Sequence, residues 1–504
     1  MFVSLKSAII NGIDAIPISI EIDAAKGLPS LNIIGLATGA AKESKDRVIH
    51  VLQNNGIDLP PKKITINLAP ADLKKDSSAV DLPIALGLAS VSENLQIKTE
   101  GFLFAAELSL NGVLRPIKGV FPMGVLAKQK GLKLIVSKRN EKEAALSGAE
   151  TYGFDHFSEV LGFLLGKIEK SKTEVDLNFL KYRDNYDLDF ADVKGQLKVK
   201  RAITIAAAGF HNILMIGSPG VGKSMIAKRI PTVLPEMNED EILTTTKIYS
   251  VSGLLNDENP IITKRPFRSP HSGSSDVSLI GGGASAMPGE ITLAHNGVLF
   301  LDEFPEFKRN VIESLRQPLE DGVITISRAK AKITYPSRFL LVAAMNPCPC
   351  GYYGSKRREC TCTIQQIRKY RSKISGPILD RIDIQIKVPE IDYDKLSEKE
   401  VDLSSSKMRE MVNAAVEIQK RRFKDTGINF NSQMNEKMLK EHCKIDEKTH
   451  LLLKTALEKF GMSLRSYSKI LKIARTIADL EASDNIRQSH IKEAISYRVL
   501  EWEV

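Results

Sequence analysis

Apolar and polar residues alternate at Ile18, Ile20 and Ile22 against Ser19, Glu21 and Asp23, and again at Ile64, Ile66 and Leu68 against Thr65 and Asn67. A period of two predicts half-buried strands. Helix-like stretches over 40–54 and 81–91, and a repeat of strand and helix from Leu103 to Gly131, predict one compact α+β domain over residues 1–166. Residues 167–188 are charged and aperiodic and read as a linker. From about Asp192 to Val388-Pro389 strands and helices alternate, which predicts a parallel sheet covered on both faces, with a ligand at the strands' carboxyl ends, over 189–390. An acidic, serine-rich stretch then leads into helical periodicity, so 391–504 reads as a helical domain in which Leu464, Tyr467, Leu471, Ala474 and Ala478 share one face. No internal repeat is evident. The expected fold class is multidomain α/β.

Two of the apolar strands end in chemistry. Ile213–Ile216 runs into Gly217, Ser218, Pro219, Gly220, Val221, Gly222, Lys223 and Ser224. Glycines there let backbone N–H groups curl around phosphate at the positive end of the next helix. Lys223 would reach the β and γ phosphates, and Ser224 would hold Mg²⁺. Val298–Leu301 ends in Asp302, aimed at the same metal, and Glu303, aimed at an attacking water. The pair of motifs reads as an ATP-hydrolysing site with ATP and Mg²⁺ as cofactors.

Three further residues extend it. The strand Phe339–Met345 stops at Asn346, which either orients the water or merely opens a turn before Pro347. Arg381, in Gly376-Pro-Ile-Leu-Asp-Arg-Ile-Asp383, sits at the edge of the sheet domain, where it can reach a neighbouring subunit's γ phosphate or pair with Asp380 or Asp383. Arg465 follows Ser463-Leu464 in the first turn of a helix, either as a sensor over the nucleotide or as an exposed arginine.

Composition narrows the setting. Hydrophobic residues make up 43% and aromatic residues 6%, ordinary for a soluble protein, and the net charge of +10 is compatible with a polyanionic partner or with a plainly basic surface. No apolar run is long enough to cross a membrane and Met1 to Ile20 lacks a signal-peptide pattern, so a cytoplasmic location is expected. Four of the five cysteines form two pairs, Cys348-Pro-Cys350 and Cys360-Thr-Cys362, which fit a zinc site better than a disulfide scaffold, although the one-residue spacing is tight; Cys443 stands alone. Tyr352, Tyr353, Arg357, Arg358 and other cations surround that loop, and they suit either contact with nucleic-acid backbone or a solvated zinc knuckle that braces the subunit.

The motifs in this order resemble the AAA+ superfamily, and more narrowly the ComM/YifB family of its magnesium-chelatase-like, helix-2-insert branch. The resemblance is carried by Arg265-Pro-Phe-Arg-Ser-Pro-His271, Leu279-Ile-Gly-Gly-Gly, Pro288-Gly-Glu-Ile-Thr-Leu-Ala-His-Asn-Gly297, Leu315-Arg-Gln-Pro-Leu-Glu and Ala343-Ala-Met-Asn-Pro-Cys-Pro-Cys-Gly351, and it spans the chain. It implies a Lon-protease-like amino-terminal domain, a hexameric AAA+ ring with a helical lid, and a helicase that drives branch migration on single-stranded or branched DNA in recombination or natural transformation, with recombination proteins as further partners. Ser272 departs from the second histidine that the family usually shows after His271.

Two consequences follow from the resemblance. The segment 322–337 alternates as a hairpin with Arg328, Lys330 and Lys332 near its tip, similar to the pore-lining hairpin of ring helicases, although lysines also keep edge hairpins soluble. A Lon-like dyad is not expected: alignment puts Ala79 at the nucleophile and Phe121 at the base, which leaves Ser78 with Lys118 as a shifted pair. The competing function is a magnesium-chelatase-like motor that remodels a protein partner, because the fold alone does not choose.

Overall fold

The structure is a computed structural model that describes residues 2–35, 38–70, 78–93, 95–175, 186–256, 258–283, 286–328, 331–390 and 403–498. Contacts divide the chain into two compact units, Met1–Tyr182 with Glu239–Thr263, and Arg183–Asn238 with Lys264–Val504.

The first unit is built on seven strands: β1 Phe2–Asn11, β2 Asp14–Ala25, β3 Ser30–Ile34, β4 Lys63–Ala69, β5 Phe102–Ala105, β6 Lys133–Ser137 and β7 Thr151–Phe154. They lie in the order β3-β4-β2-β1-β5-β6-β7, with β1/β2 and β2/β4 antiparallel and the outer neighbours parallel. The period-two pattern is realised: Ile18, Ile20, Ile22, Ile64, Ile66 and Leu68 are all buried. The helix Asp81–Ser92 is buried from Asp81 to Val91. It presses so closely on the sheet that a Cβ on Gly87 would stand 2.4 Å from Ile22 Cδ1, which explains a glycine inside a helix.

The helix Glu239–Ser252 belongs to this unit although it interrupts the second in sequence. Its end is gripped by the Gly119 N–H on the Ser250 carbonyl at 3.1 Å, and the Ser250 hydroxyl donates to Glu143 at 2.7 Å. Gly119 takes φ +77°, and a Cβ there would meet Ile10 at 2.6 Å.

The second unit carries β8 Ile213–Ile216, β9 Phe267–Arg268, β10 Val298–Leu301, the hairpin β11 Val323–Arg328 and β12 Ala331–Pro336, β13 Leu340–Met345 and β14 Ile384–Lys387. Five of them form an all-parallel sheet in the order β9-β10-β13-β8-β14. Burial on both faces accounts for the unbroken apolar composition of the three central strands β10, β13 and β8, whereas the edge strands β9 and β14 carry Arg268, Gln385 and Lys387. Helices Ser405–Arg422, Glu436–His442, Glu447–Lys459, Leu464–Leu480 and Gln488–Ser496 share one apolar cluster with this sheet. In Leu464–Leu480 the buried face is Ile470, Leu471, Ile473, Ala474, Ile477 and Ala478. Leu464, expected on that face, is 86% exposed because it opens the helix.

Candidate active site

Register brings the strand ends together. Ile216 on β8 pairs with Met345 on β13, and Leu301 on β10 pairs with Ala343, so the residues that follow each strand come out side by side. They enclose a cavity of about 300 Å³ lined by Pro219, Gly220, Gly222, Lys223, Ser224, Asp302, Glu303 and Asn346, among others. In the loop, Gly220 and Gly222 adopt φ +80° and +92°, conformations that a side chain would strain, and Gly222 caps the helix Lys223–Arg229. Gly217 is needed for a different reason: a Cβ would stand 2.7 Å from the Val388 carbonyl oxygen. Ser218 and Val221 complete the loop, with Ser218 buried and Val221 packed on the core.

Lys223 is buried and donates to the carbonyls of Gly217 at 2.6 Å and Ser218 at 3.0 Å, and to Asn346 Oδ1 at 3.1 Å. Burial lowers its pKa, and Asp302 and Glu303 act in the opposite direction. Phosphate oxygens would compensate the same ammonium more fully than the neutral carbonyls do. Ser224 Oγ donates to Asp302 Oδ2 at 2.6 Å. A hydroxyl and a carboxylate so placed fit a Mg²⁺ ion, which would neutralise phosphate charge. Glu303 takes φ +50°, uncommon for a side-chain-bearing residue, and its N–H donates to Asp302 Oδ1 at 2.9 Å. That conformation sits where the chain turns from β10 toward Phe304–Glu306.

The amide oxygen of Asn346 faces Lys223, in addition to opening the turn at Pro347. Burial pushes the nearby Tyr370 phenol up to about 12, and the Asn346 backbone N–H acts in the opposite direction.

Arg381 and Arg465 are elsewhere in the unit. Neither lines the cavity around Lys223; both line a second one of about 830 Å³. Arg381 donates to the Pro377 carbonyl at 2.9 Å and to Glu320, and Arg465 lies 4.0 Å from the other oxygen of Glu320. The intrachain partner of Arg381 is thus Glu320 rather than Asp380 or Asp383. Asp383 instead pairs with Lys469, which also donates to the Arg381 carbonyl at 2.8 Å. Glu320 closes the Leu315-Arg-Gln-Pro-Leu-Glu segment, but nothing local in that segment signals two arginine partners.

The four cysteines come together as the spacing predicts. Cys348, Cys350, Cys360 and Cys362 bring their sulfurs within 4.8 Å of one another. A tetrahedron with metal–sulfur bonds of about 2.3 Å has edges of roughly 3.8 Å, so the group fits zinc, and Cys443 is buried apart from it. Arg357 and Arg358 are exposed, and Arg358 lies 4.8 Å from the Tyr352 ring centre. On the hairpin, Arg328 pairs with Ala331 in the backbone register and Lys332 is exposed, while Lys330 lies outside the described residues.

The shifted dyad is not assembled. Ser78 donates to Glu107, and Lys118 runs along Gly253; Ala79 and Phe121 are buried. No helix among the described residues is long and apolar enough to cross a membrane.

The sequence matches three family descriptions: "Magnesium chelatase, subunit ChlI" over 189–396, "Subunit ChlI of Mg-chelatase" over 20–140 and "Magnesium chelatase, subunit ChlI C-terminal" over 402–498. It is 43% identical over 496 residues to the competence protein ComM of Haemophilus influenzae, covering 97% of this chain and 96% of that one. Identity to the YifB protein of Escherichia coli is 42% over 498 residues, again 97% and 96% of the two chains. A more distant match, 24% identical over 330 residues and covering 60% of this chain and 36% of the other, is the DNA replication licensing factor Mcm6 of Drosophila melanogaster.

Proposed function

Because the chain belongs to the ComM/YifB family of magnesium-chelatase-like AAA+ ATPases, we propose that it is a hexameric, ATP-driven DNA translocase that promotes branch migration in recombination intermediates. The observation that carries the ring is the separation of the catalytic parts. Lys223, Ser224, Asp302, Glu303 and Asn346 surround one cavity, while Arg381 and Arg465 meet at another around Glu320. A second copy that turns its arginine pair toward the first copy's nucleotide would complete the site, with Arg381 stabilising the charge on the transferred phosphate.

Within one protomer, Lys223 would bind the β and γ phosphates, Ser224 and Asp302 would hold Mg²⁺, and Glu303 would take the proton of the attacking water that Asn346 orients. The metal supplies charge neutralisation at the phosphates. DNA as the substrate is supported by the exposed cations Lys332, Arg357 and Arg358 and by the names of two relatives, a competence protein and a replication licensing factor. The amino-terminal unit serves as a structural or DNA-guiding element without peptidase chemistry, since Ser78 has Glu107 rather than a lysine as its partner.

A protein-remodelling motor is the second reading, favoured by the match of all three segments to a chelatase subunit. ATP hydrolysis and strand separation on forked and four-way DNA, with Glu303→Gln as control, separate the two. Branched DNA should accelerate hydrolysis by the native chain; a chain that ignores DNA at low salt belongs to the second reading.

A further inference from the structure

The four-cysteine loop lies against the nucleotide cavity at three places. Cys348 follows Asn346 by two residues, and Asn346 is the amide that accepts from Lys223. Gly351 takes φ +89° and approaches the phosphate loop so closely that a Cβ would stand 2.7 Å from Pro219 Cδ and Cγ. Glu390 stands near both Ser355, in the cysteine loop, and Ser218, in the phosphate loop, and these hydroxyls hold its carboxyl below the usual carboxylate range.

The loop is shaped by short turns and by two arginine–tyrosine contacts, Arg358 on Tyr352 and Arg371 on Tyr353. Between β13 and the helix Ile364–Arg371, residues 348–362 form no strand or helix. The sulfur group draws the two ends of the loop together, with Cys348 3.3 Å from Cys350 and 3.7 Å from Cys360, and Cys350 3.5 Å from Cys360. Backbone N–H groups of Cys350 and Tyr353 point at Cys362 and Cys348 sulfurs, at 3.4 and 3.3 Å. Such donors stabilise thiolate, the form that binds metal. Without a metal the sulfurs revert to thiols, and nothing then ties the two cysteine pairs to each other.

We propose that zinc bound by Cys348, Cys350, Cys360 and Cys362 is the brace that holds Ser218, Pro219 and Asn346 in their ATP-binding positions, so that nucleotide affinity depends on the metal. The proposal rests on the ATPase reading and assigns the loop a task inside the ATP site rather than at DNA. A loop that served DNA alone would leave nucleotide binding untouched when its metal was removed.

The test uses the full chain. Metal content is measured by mass spectrometry, zinc is withdrawn with a mercurial and a chelator, and a fluorescent ADP analogue is titrated before withdrawal, after it, and after zinc is restored. About one zinc per chain is expected, with nucleotide binding weakened about tenfold on withdrawal and recovered on restoration. Cys360→Ser should reproduce the loss. Gly351→Ala should retain zinc and still weaken binding, because its methyl group displaces Pro219; it carries the test if Cys360→Ser fails to fold. A full chain purified without zinc, affinity unchanged by withdrawal, or native affinity in Gly351→Ala would overturn the brace. A native chain that holds zinc but binds no nucleotide defeats the ATPase reading itself, and the brace with it.

Discussion

Glu320 binds the guanidinium of Arg381 within its own chain, and its second oxygen lies 4.0 Å from Arg465. One carboxylate thus occupies both cations, and in an assembled ring a neighbour's γ phosphate would have to displace it. The ion pair is partly exposed, Glu320 being 53% accessible at its side chain, so it opposes that exchange only weakly. Glu320→Gln is expected to raise kcat for ATP hydrolysis by about threefold, with nucleotide affinity unchanged.

Arg381→Ala should reduce kcat by about a thousandfold while nucleotide binding persists, the loss expected for an arginine that acts only on the transition state. Its site of action is tested by mixing. Lys223→Ala chains lack a phosphate site and Arg381→Ala chains lack the finger, so mixed rings should regain turnover that neither variant has alone. Mixtures no more active than their components would mean that Arg381 does not work across a subunit boundary.

At Glu303 the backbone conformation itself aims the carboxylate, with φ +50° and an N–H bonded to Asp302. Glu303→Gln keeps the shape and removes the base. Phosphate release should fall by about 10² to 10⁴-fold, with unchanged affinity for a fluorescent nucleotide. Native turnover in this variant would remove Glu303 from the proton transfer.

Two histidines make stability depend on pH. His211 and His295 are buried in the second unit, and burial depresses them to about 4 and about 3. In the unfolded chain a histidine titrates near 6.5, so on acidification the unfolded state takes up protons that the folded state refuses. Stability from this source is complete above roughly pH 6.5 and falls as pH drops toward 4. Between pH 7 and 5 each histidine should cost about 2 kcal/mol, read from hydrogen exchange in the parallel sheet. His295 Nδ1 accepts the Arg338 N–H at 2.9 Å. His295→Gln, which keeps an acceptor without the titration, should remove about half of the pH effect, and an unchanged pH profile would assign it to other groups.

If Lys332, Arg357 and Arg358 contact DNA backbone, their removal changes the salt response in proportion. Each phosphate contact on a single strand contributes about 0.7 to the slope of log affinity against log salt. The triple alanine variant should flatten that slope by about 2, as measured by fluorescence anisotropy between low and moderate salt. Weaker binding with an unaltered slope would place these cations away from the phosphates.

What the sequence disclosed was local. The phosphate loop, the Asp302-Glu303 pair and Asn346 each follow an apolar strand directly, so unbroken apolar runs located them and register did the rest. The cysteine pairs were legible for the same reason. Glu320 was not, because its link to Arg381 and Arg465 spans long stretches of chain and depends on how helices pack on the sheet. Glu390 escaped too: its approach to Ser218 and Ser355 is made by folding and leaves no local pattern around Glu390 itself. The motif containing His295, Asn296 and Gly297 has a structural explanation. Asn296 takes φ +58° and its N–H reaches the Arg338 carbonyl at 2.7 Å, and a Cβ on Gly297 would lie 2.1 Å from the Pro266 oxygen.

The helix Glu239–Ser252 bears on how the protein can be shortened. Its apolar residues Ile242, Ile248 and Val251 are buried, and the segment 239–263 that carries it belongs to the first unit while both ends of that segment join the second. A chain trimmed to 183–504 would carry that helix with its greasy side wetted and would clump, so a workable trimmed ATPase must also lose 239–263 and bridge the gap with a polar tether.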